Sequence, residues 1–257
     1  MIGKEGEACP CLPMDNHEKR ARVLPKHGGL ERKGVMLRFR RMWGFLVVFS
    51  ALAAGSALGK ELKVEGRVLQ FEIPPFRLTL PVECQLIHTS SVENKEENSR
   101  TRSYLLARWK KNQAEEIVII QIADKTDPRA GAMVIPPLKP LSEKRLFSKG
   151  KGKRTGLEID YLIQAMAWNP ASSSLRPLRE KGVIVPSSWV LQGQFLFPYY
   201  GDHAVFVRYS KDVNSFGWKV SQEGKNWERE SISGSERKTL EVFEKMFLEV
   251  IDSLRID

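Results

Sequence analysis

Four consecutive residues, Ile117-Val118-Ile119-Ile120, are all apolar and β-branched. Successive side chains of a strand point to opposite faces, so this run leaves no polar face for water. It predicts an interior strand covered on both sides. Around it, residues 64–73, 78–80, 104–109, 157–168, 189–197, 203–209 and 216–220 are also rich in β-branched and aromatic side chains, the composition of strands. Several alternate: Trp189, Leu191, Phe195 and Phe197 share one face of their strand, as do Phe216, Trp218 and Val220 of theirs. Short polar connections at residues 110–114 and 198–202 suit antiparallel hairpins rather than crossovers.

The last element reads as a helix. Ser233 and Glu236 stand in the S-x-x-E spacing of a capping box, and Leu240, Phe243, Phe247, Val250 and Leu254 then recur at intervals of three and four. Glu241, Glu244, Lys245 and Glu249 occupy the other side, a face too acidic for a membrane surface, so the apolar stripe is expected to cover the sheet. The expected fold is therefore α+β: a single, mainly antiparallel sheet of about six to eight strands, covered by a C-terminal amphipathic helix and one or more shorter helices. Residues 141–147 supply one short helix. Residues 89–102, 148–156 and 169–182 are polar or rich in Gly, Pro and Ser and read as loops.

An export signal begins at Met36. Leu37-Arg38-Phe39-Arg40-Arg41 is basic, residues 42–58 are uncharged and largely apolar, and Gly55-Ser56-Ala57 or Ala57-Leu58-Gly59 offers a small-residue cleavage site. Residues 1–35 are then either a disordered tail or a segment upstream of a true start at Met36. Residues 36–59 form a signal peptide, or a signal anchor if they are not cleaved, and residues 60–257 form one domain. The expected location is periplasmic or extracellular, with membrane contact only through residues 36–59. Residues 1–59 hold 10 Lys and Arg against 5 Asp and Glu, so their removal lowers the net charge from +10 to +5. That modest balance gives no reason to expect a nucleic-acid partner. Of three cysteines only Cys84 remains after residue 59, so no internal disulfide can form there.

Few residues suggest chemistry. Lys149, Lys151, Lys153 and Arg154 lie among three glycines in residues 148–156, a composition that can wrap an anion, although the Walker A order is missing. Cys84 and His88 are four apart, a nucleophile pair only on a helix, and Pro81 opposes a helix there. Asp202-His203 begins a strand. No H-E-x-x-H, H-x-x-E-H or G-x-S-x-G occurs, so no catalytic residue, metal ligand or cofactor is assigned. Trp227, after a glycine turn among charged residues, is the one candidate binding anchor; the other tryptophans after residue 59 mostly alternate into the core.

Taken in order, the Pro-bounded opening from Phe71-Glu72-Ile73-Pro74 to Leu80-Pro81, the paired hairpins, a late strand over residues 204–209 and a last helix ending Ile251-Asp252-Ser253-Leu254 make a pattern. It resembles the PsbP-like and DcrB-like group of exported α/β sandwich domains over roughly residues 62–256. The resemblance implies a non-enzymatic accessory or binding module, with an envelope protein or a small ligand as its partner. The alternatives are a hydrolase or other enzyme with an unrecognised site, and a membrane-anchored structural subunit.

Overall fold

The computed structural model describes residues 61–127, 129, 131–218, 220 and 227–256, all within one compact unit. The signal segment 36–59 lies outside the described residues. The opening strands are β1 (Leu62–Glu65), β2 (Val68–Glu72) and β3 (Pro75–Thr79), followed by β4 (Gln85–Asn94), β5 (Ser99–Lys110) and β6 (Gln113–Lys125). Then come β7 (Leu146–Arg154), β8 (Leu157–Ala167), a short helix α1 (Arg176–Glu180), β9 (Trp189–Tyr199), β10 (His203–Asp212), the long helix α2 (Gly234–Asp252) and β11 (Arg255–Ile256).

These strands make two antiparallel sheets, not the single sheet expected. The smaller runs β1-β2-β3-β11 and the larger β4-β5-β6-β10-β9-β8-β7. The reason lies in the short strands β1 to β3, whose inward side chains pack on the larger sheet instead of extending it. The Phe71 ring meets Tyr104 edge-on at 5.2 Å and Phe76 meets Phe197 at 5.8 Å. Helix α2 covers the rest of that front face, with Phe243 stacked on Tyr209 at 5.7 Å and Phe247 against Phe195 at 6.0 Å. Phe243, Phe247, Val250 and Leu254 of the predicted stripe are buried and Leu240 half-buried, so the helix completes the core as expected. Ser233 takes the N-cap backbone conformation, but its side chain does not cap the helix.

Strand β6 is interior and covered on both sides, in line with its apolar run. Val118 and Ile120 enter the front core, whereas Ile117 joins a second cluster on the back face with Leu105, Trp168, Leu175, Leu178 and Val190. The connection of residues 168–188, which includes α1, supplies that back cover. The hairpins at residues 110–114 and 198–202 form as read.

Four local expectations differ. The described part of residues 216–220 is not a strand: residues Val213–Phe216 form a 3-10 turn begun by Asp212, whose carboxylate accepts the Asn214 N–H at 3.0 Å, and Gly217 then reverses the chain at φ +82°. The polar segment 89–102 is mostly paired, as the β4–β5 hairpin. The Lys/Gly segment 148–156 is largely edge strand β7 and its turn, Thr155-Gly156, with both residues left-handed. Of residues 141–147 only Glu143–Arg145 turn helically, as a single 3-10 turn.

Candidate functional site

Most of the buried charged side chains of the large sheet fall in two clusters, and both are structural. At one end of the sandwich Arg102, fully buried, chelates Asp124 through two bonds of 2.8 Å, bonds Glu61, and donates to the Ile73 carbonyl at 2.6 Å. Tyr104 donates to Glu61 at 3.2 Å and His203 Nδ1 lies 2.9 Å from Asp124. The guanidinium thus ties β5 and β6 of the large sheet to both the entry and the β2–β3 turn of the small one. The second cluster lies in the front core, where Glu116 accepts from Tyr209 and from Lys211, each at 2.5 Å. All three are at most 8% exposed, so no substrate reaches them. Burial, with the Glu116 charge beside it, holds the Tyr209 phenol well above its ordinary pKa.

The sequence candidates fall as follows. Cys84 is 2% exposed in the front core, and burial, reinforced by Glu116, pushes its thiol up to about 12. A bulge after Leu86 sets His88 opposite Leu105, a residue of the back cluster, so the sheet separates imidazole and thiol. Lys149, Lys151 and Lys153 alternate along one face of β7 opposite Leu162, Asp160 and Glu158, and Lys151 pairs with Asp160 at 3.5 Å. Arg154 points to the other face and bonds Asp252 of α2, with Nε 2.7 Å from the carboxylate. The four cations therefore form no cradle, because period-two alternation sends Arg154 to the other face, and Lys151 and Arg154 are already paired with carboxylates. Trp227 is fully buried and cannot serve as an exposed anchor; its indole closes the front core near Val220 and Ile232. Among the described residues no group of three His, Cys, Asp or Glu side chains could hold a metal ion, and no helix is long and apolar enough to cross a membrane.

Part of the accessible apolar surface lies at the end of the sandwich held by Arg102. Exposed apolar side chains gather there: Ile73 (50% exposed) from the β2–β3 turn, Tyr200 (75%) from the β9–β10 turn, and Val134 (91%) from the long connection after β6. Each is held from behind. Arg102 bonds the Ile73 carbonyl, Tyr199 donates to the Pro75 carbonyl at 3.1 Å while packing edge-on to Tyr200 at 4.7 Å, and the Met133 N–H donates to Gly201 at 2.9 Å. Asp202 and the half-exposed Arg100 rim the patch. No sequence period marks these three residues, since each sits in a different turn or connection. Comparison of the chain with protein families, with curated proteins and with solved structures finds no match.

Proposed function

We propose that this chain is an exported, non-catalytic accessory module that docks an envelope protein at the end of its sandwich. The convergence of Ile73, Tyr200 and Val134 on one rigidly backed end carries this reading. Three large apolar groups exposed together have a desolvation gain to offer a partner, and their fixed backbones lower the entropy cost of binding. The buried charges support it from the other side, because the Glu116 and Arg102 clusters are consumed by internal partners. The resemblance to PsbP-like and DcrB-like domains implies the same role.

The test is site-specific photo-crosslinking in the native envelope. A benzophenone side chain at Tyr200 should yield one discrete protein adduct, Val134→Asp should abolish it, and the same probe at Lys181 should yield none. The recovered chain should begin near Lys60. Equal crosslinking from both positions, or an adduct indifferent to Val134→Asp, refutes the docking end; a chain that retains residues 42–58 replaces export by anchoring.

A further inference from the structure

On the back face of the large sheet the cation of the middle strand has no polar partner among the described residues. Arg208 lies on β10, the middle strand, directly opposite Ile119 of β6 on one side and Gln194 of β9 on the other. Directly opposed residues share a face, so Phe206 and Ser210 on its own strand, and Gln121, Gln192 and Leu196 on the diagonals, complete its surroundings. All of these are neutral. The guanidinium packs over the Phe206 ring, 5.3 Å from its centre. Among the described residues Arg208 makes no hydrogen bond and no ion pair, and its Nε is sealed from solvent without a partner. Carboxylates on that face are engaged elsewhere: Asp160, two strands or about 10 Å across the sheet, pairs with Lys151, Asp212 is bonded to Asn214, and Glu115 pairs with Arg108. Burial holds the guanidinium pKa below its ordinary value, though the group keeps its charge.

The amides next to Arg208 make no hydrogen bond to it; their bonds run to one another and to nearby serines. Gln192 accepts from Gln164 at 3.1 Å and from Gln194 at 2.5 Å, and it donates to Ser210 at 3.1 Å. Gln121 donates to Ser103 at 3.4 Å. The walls are built as well. The connection after β6 is tied to Gly201 by the Met133 N–H and to Gln164 by the Leu141 N–H at 2.8 Å. Those anchors are roughly 25–30 Å apart along β9, a span that residues 133–141 cover only when nearly extended. This strap therefore runs beside β9, while the 168–188 connection packs over Ile117 and Val190 lower on the same face. Between them Ile119, Leu196 and Phe206 remain half-exposed around the arginine.

From this geometry we infer that the back face binds a small organic carboxylate, its head on the Arg208 guanidinium and its apolar tail on Ile119, Leu196 and Phe206. The guanidinium fork matches a carboxylate with two parallel bonds, and a half-buried cation without a counter-ion is the charge such a head completes. The site is separate from the docking end, and the two succeed or fail independently.

Decanoate, decanol and decyl phosphate, each below its micelle-forming concentration, are titrated calorimetrically into the intact chain and into its Arg208→Met variant. Decanoate should bind the intact chain about tenfold or more tighter than decanol, the advantage of a hydrogen bond to a charged group, and Arg208→Met should erase that difference. Unliganded Arg208→Met should unfold at the same or a higher denaturant midpoint, because methionine keeps the packing on Phe206 and no hydrogen bond or ion pair is lost. Equal binding of decanoate and decanol overturns the inference. So does a lowered unfolding midpoint, which reveals an internal partner, and tighter binding of decyl phosphate overturns the carboxylate assignment.

Discussion

Gly193 lies so close beneath Phe247 that a Cβ built on it would stand 2.3 Å from the ring. The central part of β9 thus carries a vacancy shaped for an aromatic ring of α2, which fixes where the helix rests on the sheet. Gly193→Ala should therefore lower stability by about 1–3 kcal/mol through overpacking. Phe247→Ala should lower it by about 3–5 kcal/mol through the cavity left behind. In the double variant the new methyl fills part of that cavity, so the combined loss should fall short of the sum. Denaturant unfolding of the four proteins measures this; strict additivity would show that the two residues do not share the contact.

Alkaline pH should weaken the fold in a way traceable to Cys84. Its thiol rises from 9.0 to about 12 on folding, chiefly through burial, and Tyr104 rises from 10.0 to about 12 for the same reason. Between pH 9 and 12 the unfolded chain releases protons that the folded chain retains. Stability is therefore whole below pH 9 and falls above it, by about 1.4 kcal/mol per pH unit for each such group. Unfolding midpoints between pH 8 and 11 should decline, and Cys84→Ala should decline less steeply. The native thiol should also resist alkylation near neutral pH; rapid stoichiometric labelling would contradict its burial.

The lysines of β7 find their use at a sheet edge. Among the described residues β7 pairs only with β8, so its outer row of N–H and C=O groups is open. Lysine along such an edge discourages a second copy from adding a strand. Replacing Lys149, Lys151 and Lys153 together by threonine should leave the monomer folded but produce self-association, visible by sedimentation at micromolar concentration. A variant that stays monomeric over that range would show that the charges do not guard the edge.

Which segments had an apolar face to bury was legible along the chain. The Ile117–Ile120 run foretold an interior strand, the stripe from Leu240 to Leu254 foretold a helix on the core, and the polar connections foretold hairpins, because each signal is carried by neighbours along the chain. Even at residues 216–220 the burial of Phe216 and Val220 was legible, although the backbone turns there. What those faces meet depends on the packing of distant segments. A period of two says that β1 to β3 have an inner side, but not that it packs on a second sheet. The polar strands β4 and β7 have no period strong enough to read and are held by hydrogen bonds to β5 and β8. The candidate sites were the least legible, for the same reason: Trp227 is buried by distant residues, the docking end joins three separate connections, and the isolation of Arg208 depends on which strands lie beside it. Burial and electrostatic partnership are sums over neighbours in space, and the chain's order does not contain them.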